Sequence, residues 1–404
     1  MIDNTTAAPR RHQSEHNLNR FWEVESMEQP SMTAEHHTCE QHFMSNTIQQ
    51  PDGIFVVRLP TKIDSKQLGS SRLSAERRLH AMERRLENHP DLKVQYHRSM
   101  KEYETLGHMT TVKPQEPKQP CYFLPHLAVI KNTSTTTKTR VVFDGSAKTS
   151  NGLSLNDILQ VGPIVQPDLY SIVLRFRTHQ VCFTADIAIM YRQIMVHPLD
   201  RDLQRILWRY SSDEPIQEYQ LNTVTYGTAS APYLATRCLK KLADDNKCHH
   251  PTSAQVLRND FYVDDLLSCT STLEEAINLQ QELTSMLNTA GFTLRKWTSN
   301  HPSFLDNIPT ELKETNQILS LANDNGVTTL GLLWIPTADQ LQVRNNTTQV
   351  LPFNATGSTK RKVLAITASI FDPLGLLSPA VIAYKTFLQK LWQDKLQWDE
   401  PLPI

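Results

Sequence analysis

The sequence predicts an α+β protein built from more than one domain or subdomain. Three observations predict it. The alternating run Val181 to Asp186 reads as a strand with one buried face. Apolar residues at three- and four-residue spacing, in Leu79–Leu86 and Leu92–Leu106, read as amphipathic helices. A length of 404 residues exceeds one ordinary domain, so two or three units are expected.

The elements follow in order. Residues 1–48 open on a polar, His/Asn-rich stretch without the apolar core of a signal peptide, and read as a leader or linker. A strand lies between Gly53 and Pro60. Leu79, Met82 and Leu86 mark a helix that stops before His89-Pro90. Leu92, Tyr96, Met100, Tyr103 and Leu106 mark a second, with Gly107 at its C-terminal cap. Residues 110–120, with three prolines, read as a loop. Two β-rich runs, Tyr122 to Lys131 and Thr139 to Asp144, flank a polar turn that suits an exposed hairpin tip.

The strand ending at Asp186 presents Val181, Phe183 and Ala185 to one side and delivers a carboxylate at its end. A helix over 226–243 is entered through Tyr226-Gly227. Residues 261–268 are two short apolar runs around an Asp-Asp turn. Thr272 with Glu275 offers a capping box for a helix carrying Leu273, Ala276, Ile277, Leu283 and Leu287, which Gly291 ends. Strands are expected over Gly291 to Trp297 and Val327 to Ile335. Arg361 to Trp392 reads as helical, broken at Asp372-Pro373.

Composition excludes some classes. Hydrophobic residues make up 39% and charged residues 21%, and no window approaches the roughly 18 uninterrupted apolar residues of a membrane span. The six cysteines form no CxxC and read as reduced thiols of an intracellular protein. Net charge is −1, yet Arg58 to Lys101 holds 11 Lys/Arg against 5 Asp/Glu, a local excess of six. Such a segment is either a phosphate-facing surface or a solvated helix face.

The sharpest chemistry is in Tyr262-Val263-Asp264-Asp265. Adjacent carboxylates in an apolar hairpin need a counter-charge. A hard divalent cation supplies it, and Asp186, at the end of its own strand, is the natural third ligand. Three such carboxylates make a two-metal site for phosphoryl chemistry.

These residues resemble a known family. Residues 261–265 resemble the YxDD hairpin of reverse transcriptases. Phe183 to Ile194 resembles that superfamily's first catalytic motif, in which an aromatic residue follows the Asp by five positions. Leu221 to Ala235 resembles the motif that grips template and incoming nucleotide. TRVVFDGSAKTSNGLSLNDIL (139–159), MYRQIMVHPLDRDLQRILWR (190–209), TLRKWTSN (293–300) and ASIFDPLGLLSPAVIAYKTFLQKLW (368–392) resemble the BEL/Pao retrotransposon clade. The resemblance runs from about Phe21 to Ile404. The chain departs from the clade's pattern at Ala188 and Ile189, where an acidic-basic pair is usual, and at Gly145, where Ala is commoner.

The resemblance implies a reverse-transcriptase palm and fingers over 49–340, and a thumb or connection start over 341–404, a segment often labelled a Pao peptidase. It implies an RNA-directed DNA polymerase, a nucleotidyltransferase. Asp186, Asp264 and Asp265 would hold two Mg²⁺ or Mn²⁺ ions. Tyr191 would gate against a 2′-hydroxyl. Arg140 and Lys131, at the two ends of the fingers hairpin, would meet the triphosphate. Gly227 would allow close backbone approach to template or nucleotide, with Tyr226 beside it. Lys296 would protonate the departing pyrophosphate. Leu330 to Trp334 resembles the primer-grip strand. Template, primer, deoxynucleoside triphosphates and other polyprotein products would be the partners, in the cytoplasmic virus-like particle of the element, with no membrane.

Two other classes compete. A catalytically inactive or domesticated remnant would keep the fold as a nucleic-acid-binding protein; all three catalytic Asp are present, which drift does not protect. An aspartic peptidase would need an Asp-Thr/Ser-Gly loop, and Asp144-Gly145-Ser146 has the order reversed. The His36-His37-Thr38-Cys39 and His42 group has no second ligand pair at zinc-finger spacing.

Overall fold

The computed structural model describes residues 32–112, 120–130, 139–314, 327–329, 332–343, 358–370, 372 and 374–402. In chain order these form α1 (Ala34–Asn46), β1 (Ile48–Gln49), β2 (Phe55–Val57), α2 (Arg72–Glu87), α3 (Pro90–Thr105) and β3 (Met109–Thr111). Next come β4 (His126–Ile130), β5 (Thr139–Phe143), α4 (Leu169–Arg175), β6 (Val181–Ile187), β7 (Met195–Val196), β8 (Arg205–Trp208) and β9 (Gln217–Leu221). Then follow α5 (Ala231–Asn246), α6 (Pro251–Asn259), β10 (Phe261–Tyr262), β11 (Asp265–Thr270), α7 (Leu273–Asn288) and β12 (Leu294–Ser299). The last are β13 (Val327–Thr329), β14 (Leu332–Ile335), β15 (Gln340–Val343), α8 (Lys360–Ser369) and α9 (Ser378–Gln393).

The central sheet has the order β10-β11-β6-β12, with every pair antiparallel. Helices α5, α6 and α7 share its core: Ala235, Cys238, Leu239, Ala276, Leu283 and Leu287 are fully buried with Phe183 and Phe261. The Thr272–Glu275 capping box forms as expected and fixes the start of α7. The hairpin β4–β5 pairs His126 with Phe143 and Ile130 with Thr139, and α3 packs beside β5.

Three expectations are corrected. Strand β6 has two buried faces, not one. Cys182 and Thr184 are as buried as Phe183, because α4 and Trp334 cover the second side. Residues 34–46, expected within a leader, form a helix whose Cys39 and Phe43 belong to the main core. Glu40 takes hydrogen bonds from Tyr233 Oη (2.8 Å) and Arg237 Nε (2.7 Å), which tie α1 to α5. Val327 to Ile335 is not one strand: β13 and β14 pair antiparallel, Val327 opposite Trp334. Leu330 and Gly331 lie outside the described residues.

Helices α8 and α9 bury a small cluster of their own, Val363, Leu388 and Leu391. Lys360 Nζ lies 4.6 Å from the Trp392 ring and 5.2 Å from Trp398, a cation–π contact on both.

Candidate active site

The register of the central sheet assembles the carboxylates. Asp186 in β6 lies directly opposite Asp265 in β11, and on its other side opposite Arg295 in β12. Asp264 sits in the two-residue turn between Tyr262 and Asp265. Burial pushes the Asp264 carboxyl above the usual carboxylate range. Its own backbone amide opposes that, the Asp186 charge adds to it, and Lys296 and Arg140 pull it back.

Asp186 has two cations on it. Arg295 Nε donates to Oδ1 at 2.9 Å and Lys296 Nζ to Oδ2 at 2.5 Å. Neighbours on a regular strand point to opposite faces. Here β12 shifts register between Arg295 and Thr298, and Lys296 takes a left-handed φ of 55°, so both side chains reach one carboxylate.

Ile189 (φ 43°) and Val263 (φ 54°) are also left-handed, and both are β-branched. All three residues line one cleft around the carboxylates. Such conformations cost about 1–3 kcal/mol each and persist where the surroundings impose them. At Val263 the surroundings are Gln166, whose Oε1 accepts from the Val263 amide at 2.8 Å and whose Nε2 donates to its carbonyl at 3.4 Å.

The cleft has a volume of about 490 Å³. Its floor carries Asp186, Asp264, Asp265, Tyr191, Tyr226 and Lys296; its wall, from β5 and α3, carries Arg140 and Tyr103. Tyr191 and Tyr226 pack ring on ring, centroids 4.3 Å apart. Burial, then the Asp264 charge, pushes the Tyr191 hydroxyl up to about 12, so it is protonated at neutral pH. Arg140 is exposed, and its charge acts on both Tyr226 and Asp264. Arg192, mostly buried but also lining the cleft, donates to Glu102 and His108 and lies 4.1 Å over the Tyr103 ring.

Gly227 has no room for a side chain. A Cβ there would lie 1.9 Å from the Phe143 carbonyl oxygen, and its φ is +98°. The turn before α5 thus packs against the β5 backbone, and that contact by itself requires glycine. Lys131 lies outside the described residues.

Carboxylate oxygens on neighbouring strands are the donors that hard divalent cations prefer, and a half-buried Asp264 whose carboxyl stays raised despite Lys296 and Arg140 fits one. Among the described residues no three acidic, His or Cys side chains are already gathered as a metal cage. Asp186 instead faces Arg295 and Lys296.

Sequence reasoning missed Arg295, Gln166 and Arg192. Arg295 and Arg192 adjoin residues that motifs did single out, so their nearness was readable. Gln166 comes from a loop remote in sequence, and nothing local points to it.

Two family models match the chain. One, reverse transcriptase (RNA-dependent DNA polymerase), covers residues 130–298, which include every cleft residue except those of α3. The other, the Pao retrotransposon-like RNaseH-like domain, covers residues 359–404, where a thumb or connection start was expected. No curated protein matches. The first match implies the polymerase palm and fingers, and the mixed helices and sheets described above agree with it.

Proposed function

Because the chain belongs to the reverse-transcriptase region of Pao-type retrotransposons, we propose that it extends a primer 3′-hydroxyl with deoxynucleotides by two-metal nucleotidyl transfer. A reverse transcriptase domain is an RNA-directed DNA polymerase and binds template, primer and deoxynucleoside triphosphate. The observation that carries the mechanistic reading is the cleft itself. It gathers Asp186, Asp264 and Asp265 with Arg140, Tyr191, Tyr226 and Lys296, residues spread over 157 positions of sequence from 140 to 296.

Asp186, Asp264 and Asp265 would hold Mg²⁺ or Mn²⁺. When bound, the ions supply activation of the primer hydroxyl and charge stabilisation at the transferring phosphoryl group. Arg140 holds triphosphate oxygens as a fork from the wall, with Lys131 a further contact. Tyr191, backed by Tyr226, fills the space a 2′-hydroxyl would need. Lys296 stands beside Asp186, where it can hand a proton to the departing pyrophosphate. Helix α2, with five Arg against three Glu, binds backbone phosphates, so affinity falls steeply with salt. The setting we propose is the element's cytoplasmic particle.

The test is primer extension on a poly(rA)/oligo(dT) duplex with Mg²⁺ or Mn²⁺, comparing the chain with Asp264→Asn. Extension that vanishes in the variant supports the reading. A folded chain that binds the duplex and never extends it refutes it.

A further inference from the structure

The register that sets Asp186 opposite Asp265 also sets Cys182 opposite Cys269. The Ile187 amide donates to the Asp264 carbonyl at 2.9 Å, so that pair is a hydrogen-bonded one. Antiparallel pairs alternate. Cys182 and Cys269, five pairs along, therefore form a non-hydrogen-bonded pair. The Cys182 backbone agrees, since its amide and carbonyl both turn to Asn300, away from β11.

Non-hydrogen-bonded pairs bring Cα atoms to about 4.5 Å, inside the roughly 4.4–6.8 Å that a disulfide spans. Both side chains also leave the sheet on the same face. Cys182 Sγ donates to the His179 carbonyl at 3.5 Å, and Cys269 Sγ to the Arg175 carbonyl at 3.2 Å. Both thiols thus point at the end of α4 and the residues just after it, in the cluster that holds Trp334.

We propose that Cys182 and Cys269 are a redox-sensitive pair that closes to a cross-strand disulfide, locking β6 to β11 beneath the catalytic carboxylates. Both are free thiols here. Cys269 is partly exposed and Cys182 fully buried, and burial pushes the Cys182 thiol up to about 12. Cys269 therefore reacts first. With a low-molecular-weight disulfide such as oxidised glutathione, the Cys269 thiolate attacks one sulfur and releases one glutathione thiol. Cys182 then attacks the Cys269 sulfur of the mixed disulfide, loses its proton and releases the second glutathione thiol. One protein S–S bond forms, one glutathione S–S bond breaks, and two electrons pass to glutathione. In a reducing compartment the pair stays open; an oxidising one closes it.

The experiment treats the full chain with oxidised glutathione and digests it with trypsin without reductant. Cleavage isolates Cys182 on residues 178–192 and Cys269 on residues 259–295, each the single cysteine of its peptide. The expected result is a linked 178–192/259–295 species and a melting temperature a few degrees above that of the same sample after dithiothreitol. Cys269→Ser should lose both, and Cys248→Ser, an exposed cysteine elsewhere, should keep both. Glutathione trapped on Cys269 with no linked species, or linkage to another cysteine, overturns the proposal. So does a melting temperature that dithiothreitol leaves unchanged.

Discussion

Lys296 Nζ lies 2.5 Å from Asp186 Oδ2, while Arg295 Nε takes the other oxygen. Asp186, one of the carboxylates we propose as metal ligands, is thus held by two cations of its own chain. A divalent ion must compete with them. At about 4 Å in water one unit charge is worth about 1 kcal/mol, roughly a fivefold change in affinity. Lys296→Met should therefore bind Mn²⁺ about fivefold more tightly, as read by electron paramagnetic resonance without nucleotide. Primer extension should still fall by at least about tenfold if Lys296 is the proton donor we propose for the leaving group. Unchanged Mn²⁺ affinity would show that the contact does not compete.

Asp264→Asn should abolish extension and yet stabilise the metal-free protein at neutral pH. The Asp264 carboxyl is raised by burial, so the folded state holds its proton to higher pH than the unfolded state does. Stability is then lost as pH rises from the unfolded value through the folded one, and the full penalty stands above it. The Asn variant lacks that penalty. Its melting temperature should exceed the wild type's by about 1–3 °C at pH 7. The gap should close as the pH drops below about 4, where both side chains are neutral.

Tyr191→Val should admit ribonucleotides. The ring packed on Tyr226 becomes a smaller side chain, and the space for a 2′-hydroxyl opens. Discrimination against ribonucleoside triphosphates, measured as a ratio of kcat/KM values, should drop by roughly a hundredfold. A ratio that does not move would place the gate elsewhere.

Gly227→Ala should destabilise the fold by about 2 kcal/mol or more, because it combines a left-handed φ with a Cβ against backbone. Urea unfolding measures it. An Ala variant as stable as the parent would mean that the turn under β5 can move.

Glu40→Ala should cost about 1–3 kcal/mol, because it strips partners from Tyr233 and from the buried Arg237 guanidinium. Although burial raises it, the bonds from Arg237 and Tyr233 hold the Glu40 carboxyl below its usual range. Its contribution should be present above that range and disappear as pH falls through the folded value. Thermal melts of parent and variant between pH 7 and pH 3 should converge.

The sequence by itself determined the local features of this protein. Periodicity placed α2 and α3, Thr272 and Glu275 opened α7, and alternation put Asp186 at the end of a strand. It also named the two acidic residues of the hairpin. Only the tertiary structure decided who faces whom. That Asp186 lies between Asp265 and Arg295, that a bulge turns Lys296 onto the same carboxylate, and that Gln166 holds Val263 are facts of register and packing. Tertiary structure also covered the second face of β6, drew α1 into the core and gave Gly227 its contact with Phe143. The reason is physical. A period of 2 or 3.6 is written in neighbouring residues, whereas strand pairing joins residues some 80 to 115 positions apart and is chosen by the burial of whole faces.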